Sequence, residues 1–177
     1  FMKVFASLER WAPGSESETL KALLLLPEQP NAILEIGCGK GLATSVLASN
    51  TNASITVVDN EQSALTRLSD RFDDEGLVDR LTTVCASMTE LPFGNESFDL
   101  LWAEGSAYIM GVTNALSQWK PLLKDGGVLM VSDLVWLTDA PSEEAIEFWR
   151  QEYPDMQAID TRLKQVESAG YDVLTSF

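Results

Sequence analysis

The residues best suited to chemistry begin at Ile33-Leu34-Glu35-Ile36-Gly37-Cys38-Gly39-Lys40-Gly41, an apolar run that ends in three alternating glycines. Glycine lets the backbone turn sharply and lets a bound group approach it closely, where a side chain would obstruct. An ordinary tight turn from a strand into a helix would use the same residues. Spacing separates two kinds of ligand. The dinucleotide fingerprint is G-x-G-x-x-G/A; counted from Gly37, its third small position falls on Leu42, and the third glycine arrives one residue early at Gly41. Glu35 stands at the entry to the loop, where its charge would lie close to a pyrophosphate and suits a cationic ligand better. About 20 residues beyond the loop, Asp59 closes the β-branched run Ser54 to Val58, where nucleotide folds hold a ribose through a carboxylate. A solvent-exposed acid at a strand end is the plainer account of Asp59.

Composition removes other chemistries. The chain has 177 residues, 45% of them hydrophobic and 22% charged, enough apolar material for one folded domain and too much for disorder. It has no histidine, so a Ser-His-Asp or Cys-His nucleophile is excluded. With Cys38 and Cys85 as the only thiols, no cysteine-rich zinc site can form within one chain, and no metal is expected. Two cysteines so far apart suggest a reducing, cytoplasmic setting. The net charge of −15 disfavours nucleic acid and anionic membrane surfaces as partners. No apolar stretch approaches the roughly 20 residues of a membrane span.

These residues need elements to position them. Helices are predicted over Glu16 to Leu26, Leu42 to Ser49, Gln62 to Phe72, Thr113 to Leu123, Ser142 to Tyr153 and Asp155 to Ala169. Ser15, with Glu18 three residues on, can cap the first of them. Strands are predicted over Ala32 to Ile36, Ser54 to Val58, Leu81 to Ala86, Phe98 to Ala103, Val128 to Ser132 and Tyr171 to Thr175. Strands alternating with helices imply an α/β fold: a doubly wound, mostly parallel sheet with helices on both faces, whose ligands bind beyond the carboxyl ends of the strands.

On these motifs the chain resembles the class I S-adenosylmethionine-dependent methyltransferases, whose first signature is an acid followed by GxGxG. The resemblance runs from about Pro13 to Phe177. It implies a Rossmann-like sheet, S-adenosyl-L-methionine as cofactor and a small-molecule methyl acceptor. The glycine loop, with Glu35, Gly37, Cys38, Gly39 and Gly41, would take the methionine part, and Val57-Val58-Asp59 resembles the second motif, whose acid meets the ribose hydroxyls. Asn60 and Gln62 would lie near the adenine. Ala86 to Phe93 is similar to the third signature but has Ser87 where the family usually has Asp, so contacts there would come from the backbone of Ser87 and Met88 and from the Met88 side chain; Met88 as plain core filling is the alternative. Glu104 would end the fourth strand, facing the transferable methyl group. With histidine absent it is the first candidate for a base or for orienting the acceptor, and a capping or salt-bridged carboxylate is the bland alternative. Tyr108 stands beside it, and Asp133 after the fifth strand is a further choice.

Arg10-Trp11-Ala12-Pro13-Gly14-Ser15 resembles an opening segment that closes over the cofactor, with Ser15 either a cofactor contact or a helix cap. Asp99 and the pair Gly126-Gly127 are expected to serve architecture. Trp136, Phe148, Trp149 and Tyr153 fall in the region that varies with substrate; Phe148 and Trp149 fit the core better. The reading divides one domain, 1–177, into an N-terminal lid and helix (1–30), a cofactor-binding core (31–135) and substrate-side helices with a sixth strand (136–177). The family sheet has seven strands in order 3-2-1-4-5-7-6, and only six are legible here. A partial chain, or a homodimer paired through the open sheet edge, is therefore expected. Two other functions fit the same sheet, an NAD(P)-dependent oxidoreductase and a non-catalytic S-adenosylmethionine-binding protein.

Overall fold

Successive side chains of a strand point to opposite faces, so the apolar runs of the central strands feed two helical layers. In the computed structural model, which describes residues 13–177, β1 (Ala32–Ile36), β2 (Ser54–Asp59), β3 (Leu81–Cys85), β4 (Phe98–Glu104) and β5 (Leu123–Ser132) form one sheet in the order β3-β2-β1-β4-β5. Every neighbouring pair is parallel. Ile33, Ile55, Val57, Leu100 and Trp102 point to one face, where they pack with α1 (Glu16–Leu24), α2 (Leu42–Asn50) and α3 (Gln62–Asp74). Leu34, Ile36, Val58, Leu101 and Ala103 point to the other, against α4 (Val112–Trp119) and α6 (Ile159–Ser168). Strand order reverses between β1 and β4, so a crevice opens beyond their carboxyl ends.

Polar contacts fix the register of this frame. Asp99 accepts hydrogen bonds from the Asn31 and Ala32 amides at 3.0 and 2.8 Å and from Lys124 at 2.9 Å, tying β4 to the start of β1. Burial alone would raise its pKa, but these donors outweigh it and hold the carboxyl below its ordinary value. Arg80 donates to the carbonyls of Ala48, Thr51 and Ala53, closing the carboxyl end of α2. No helix among the described residues is long and apolar enough to cross a membrane.

The structure corrects the expected elements in three places. Residues 171–177 form no strand. Tyr171 instead donates its hydroxyl to the Leu116 carbonyl of α4 at 2.9 Å, and Lys120 bonds the carbonyls of Ala169 and Gly170. Residues 171–177 join no ladder of the described sheet, whose edge on this side is β5. A two-stranded parallel pair not foreseen in the sequence, β6 (Val135–Trp136) with β7 (Gln157–Ala158), forms instead beyond β5. Finally, α5 (Glu143–Glu152) buries none of its residues; Phe148 is 56% exposed and packs edge-on against Trp149. Those rings are not core, because the helix lies outside both packed layers.

Candidate active site

The glycine loop is built largely from backbone. The Gly37 amide donates to the Val58 carbonyl at 2.7 Å, and the Gly39 amide donates to Asp59 Oδ2 at 2.8 Å. The Glu61 amide donates to Asp59 Oδ1 at 2.9 Å. The ends of β1 and β2 are thus closed on each other through one half-buried carboxylate. Gly37 and Gly41 both have positive φ, +77° and +73°. A Cβ on Gly37 would lie 2.5 Å from Ser106 Cβ, and one on Gly41 would lie 2.4 Å from Leu68 Cδ1. Gly37 is therefore demanded by close packing against the exit of β4 and Gly41 by its left-handed backbone, in addition to any approach by a ligand. Ser106 locks the loop further by donating to the Ile36 carbonyl at 2.6 Å, and Arg71 holds the carbonyls of Lys40 and Gly41.

Glu35 is 3% exposed and accepts the Thr44 hydroxyl at 2.6 Å, which places its charge beneath the loop, against α2. Burial, with the charges of Glu35 and Asp59, pushes the Cys38 thiol far up, so Cys38 stays protonated and serves as a small packed side chain. Met88 reaches the loop, its Cε 3.8 Å from the position a Gly37 Cβ would take, while its carbonyl accepts the Trp119 indole at 3.0 Å. Asn60 and Gln62 are exposed just past β2, and the exposed Ser87 bonds Thr89 at 2.7 Å. Ser15 is the N-cap of α1 and accepts from the Glu18 amide at 3.3 Å.

A cavity of about 420 Å³ opens beside this crevice, past β4 and β5. Glu104, Tyr108, Trp102, Ser132 and Asp133 line it together with residues of α1. Glu104 is half-buried; both its oxygens face the Thr19 hydroxyl at 3.1 and 3.0 Å, and Oε2 accepts the Trp102 indole at 3.2 Å. Strand alternation, which puts Trp102 and Glu104 on one face, could have suggested that pairing. Thr19 had no such signal, since only the docking of α1 brings it there. Asp133 is held by Arg162 at 2.8 Å and by the Tyr153 hydroxyl at 2.8 Å, so it is a member of a buried ion pair. Arg10, Trp11 and Ala12 lie outside the described residues.

The structure thus brings Glu35, the glycine loop, Asp59 and Met88 together at one crevice, and Glu104 and Tyr108 together in one cavity. Gly14 and Glu18, on either side of Ser15, line the cavity, and Ser15 itself does not. Asp59 can accept at about four lone-pair positions, of which two amides take one on each oxygen, so the half-buried carboxylate retains capacity for a pair of hydroxyls.

Several known proteins are similar to the chain. The chain is 29% identical over 147 residues to the methyltransferase GfsG of Streptomyces halstedii, covering 80% of this chain and 53% of that protein. It is 30% identical over 169 residues to an O-methyltransferase of Pyrenophora dematioidea, covering 91% of this chain and 62% of that protein. The chain therefore spans between half and two thirds of the length of these curated relatives. Among solved structures, a SAM-dependent methyltransferase from Geobacter sulfurreducens in complex with S-adenosyl-L-homocysteine superposes with a TM-score of 0.81 at 20% identity, covering 96% of this chain and 69% of that one. The family model described as a methyltransferase domain matches residues 33–127. That match takes in the glycine loop, Asp59, Glu104 and Tyr108 and more than half of the sequence, and the chain belongs to this methyltransferase domain family.

Proposed function

We propose that this chain catalyses S-adenosylmethionine-dependent methyl transfer to a small-molecule acceptor. The observation that carries the reading is the closure of the glycine loop on Asp59, with the Gly39 amide 2.8 Å from its carboxylate, directly beside a cavity walled by Glu104 and Tyr108. In this reading Gly37, Cys38, Gly39 and Gly41 cradle the methionine part, with Glu35 supplying negative charge beneath them. Asp59 accepts the ribose hydroxyls, Asn60, Gln62, Ser87 and Met88 frame the adenine, and Ser15 presents the amino end of α1. When bound, the cofactor supplies a methyl group on a sulfonium, ready for in-line displacement. The protein's part is alignment and exclusion of water. Glu104, steadied by Thr19 and Trp102, orients the acceptor or takes its proton, and Tyr108 contacts it.

The buried carboxylate under the loop opposes a diphosphate, so the oxidoreductase alternative is not favoured. The acidic balance supports neither nucleic acid nor an anionic membrane as partner, and two unpaired cysteines support a reducing, cytoplasmic setting. Calorimetry with S-adenosylhomocysteine and with NADH tests the reading: saturable binding of the first and none of the second is expected, and the converse would overturn it. Incubation with S-adenosylmethionine and a panel of hydroxyl- and amine-bearing small molecules, read by mass spectrometry, separates an enzyme from a binding protein.

A further inference from the structure

Asp133, Tyr153, Asp155 and Arg162 form a polar cluster that takes no part in the cofactor crevice. Asp133 follows β5, Tyr153 and Asp155 follow α5, and Arg162 lies in α6. The side chains of Arg162 and Asp133 are only 7% and 8% exposed, with Nε 2.8 Å from Asp133 Oδ2. Arg162 Nη2 donates to the Tyr153 hydroxyl at 2.9 Å and to the Asp155 carbonyl at 2.8 Å, and Nη1 donates to Gln165 at 2.7 Å. The Tyr153 hydroxyl in turn donates to Asp133 Oδ1 at 2.8 Å. Separate stretches of chain are thereby fixed around one guanidinium, whose planar fork of donors suits such multiple engagement.

The consequence falls on Tyr153. Its hydroxyl is held from both sides and its ring is 5% exposed, so the ring has one orientation. Burial, followed by the bond to Asp133, pushes its pKa well up, and it remains a phenol that donates to Asp133. Against this ring stands Tyr108, with centroids 5.5 Å apart and planes inclined at 62°, an edge-to-face arrangement that aromatic pairs prefer. Tyr108 itself is 44% exposed and lines the cavity, and its hydroxyl makes no hydrogen bond among the described residues. Its backbone belongs to a short 3-10 turn, Ala107–Met110, an element apart from the one that carries Tyr153.

We propose that Tyr153 is a positioning residue: the Asp133–Arg162 cluster fixes its ring, and that ring holds Tyr108 in one orientation in the cavity wall, where Tyr108 meets the acceptor. The inference rests on the methyl-transfer reading only in naming the occupant of the cavity. Removing the cluster's grip on Tyr153 therefore disturbs Tyr108, although the two tyrosines lie on different elements and, among the described residues, the Tyr108 hydroxyl bonds none of the charged groups.

The chain has three tyrosines, so protein labelled with ¹³C in the tyrosine rings gives a small set of signals that Tyr→Phe substitutions assign. Tyr153→Leu removes ring and hydroxyl and is expected to shift the Tyr108 resonance through loss of the neighbouring ring. Tyr153→Phe keeps the ring but frees it from Asp133 and Arg162, and is expected to move Tyr108 part of the same way. Tyr171, anchored on α4, stays in place in both and reports that the fold is intact. An unmoved Tyr108 signal in a folded Tyr153→Leu variant would overturn the contact, and an unmoved signal in Tyr153→Phe would overturn the role of the cluster. If Tyr153→Leu fails to fold, Tyr153→Phe decides alone. S-adenosylhomocysteine titrated into the unsubstituted labelled protein gives a separate answer: absence of binding there would sink the methyl-transfer reading while the Tyr108 result stood by itself.

Discussion

The crevice at the ends of β1 and β2 and the cavity wall at the ends of β4 and β5 are assembled by different means. In the crevice, one partner of each bond is main chain: the amides of Gly37, Gly39 and Glu61 donate to Val58 and Asp59, and the Ser106 and Arg71 side chains donate to the carbonyls of Ile36, Lys40 and Gly41. In the wall, side chains from distant segments hold one another: Thr19 and Trp102 on Glu104, Tyr153 and Arg162 on Asp133. A site built on backbone groups depends on the path of the main chain and on glycines at positive φ. A site built from side chains depends on long-range docking and can be altered residue by residue without disturbing the crevice. This division suits the proposed function, with a common cofactor in the crevice and an individual acceptor at the wall.

Substitutions can break or sharpen that contrast. The largest effect is expected from Arg162→Met, which leaves Asp133 buried without its countercharge and should lower stability by about 3–5 kcal/mol. Urea unfolding measures it; a loss below about 1 kcal/mol would show that the wall does not hang on this ion pair. Gly37→Ala strikes the crevice. With φ at +77° and Ser106 Cβ 2.5 Å from the new methyl group, it should cost about 2–4 kcal/mol in the same assay. A neutral result would mean that the loop can open away from Ser106.

Asp59→Ala should weaken S-adenosylhomocysteine binding by about 1–3 kcal/mol, the range for charge-assisted hydrogen bonds, and calorimetry reads it directly. An unchanged dissociation constant would remove Asp59 from the ribose site. Thr19→Val takes one donor from Glu104 and should lower thermal stability by about 0.5–1.5 kcal/mol while leaving binding in the crevice intact. If it weakens binding as much as Asp59→Ala does, the two regions are not separable. The smallest effect concerns the frame that both regions share. Asp99 has a pKa held below its ordinary 3.8, so its contribution is present above that value and fades as pH falls through the lower, folded-state value. Asp99→Asn should flatten the acid limb of the stability profile, as followed by circular dichroism from pH 6 downwards.

The frame and the crevice were largely legible in the sequence because both follow from local rules. Strands at 32–36, 54–59, 81–85 and 98–104 stand where β-branched and apolar runs place them, and Ser15 caps α1 as its type suggests. Gly37 and Gly41 read as permissive turns, but Ser106, which leaves no room for a Cβ at Gly37, comes from another element. The wall was less legible. Phe148 and Trp149 fit a core pattern, yet α5 lies outside both layers and leaves Phe148 more than half exposed. Asp133 looked like a candidate base, and its partner Arg162 lies far along the chain on a helix whose docking no local pattern announces. Tyr171 to Thr175 has strand composition, but a strand exists only if a neighbour completes its ladder.

By itself the sequence determined the alternation of strands and helices, the glycine loop between β1 and α2, the acid that closes β2 and the exclusion of histidine chemistry. Each of these is a property of residue type and near spacing, acting through backbone freedom and hydrophobic period. Only the tertiary structure decided which carboxylates share a cavity, which are already held by Thr19, Thr44 or Arg162, and which tyrosine stands against which. Those outcomes depend on contacts between residues remote in the chain, and such contacts form only when the layers have packed.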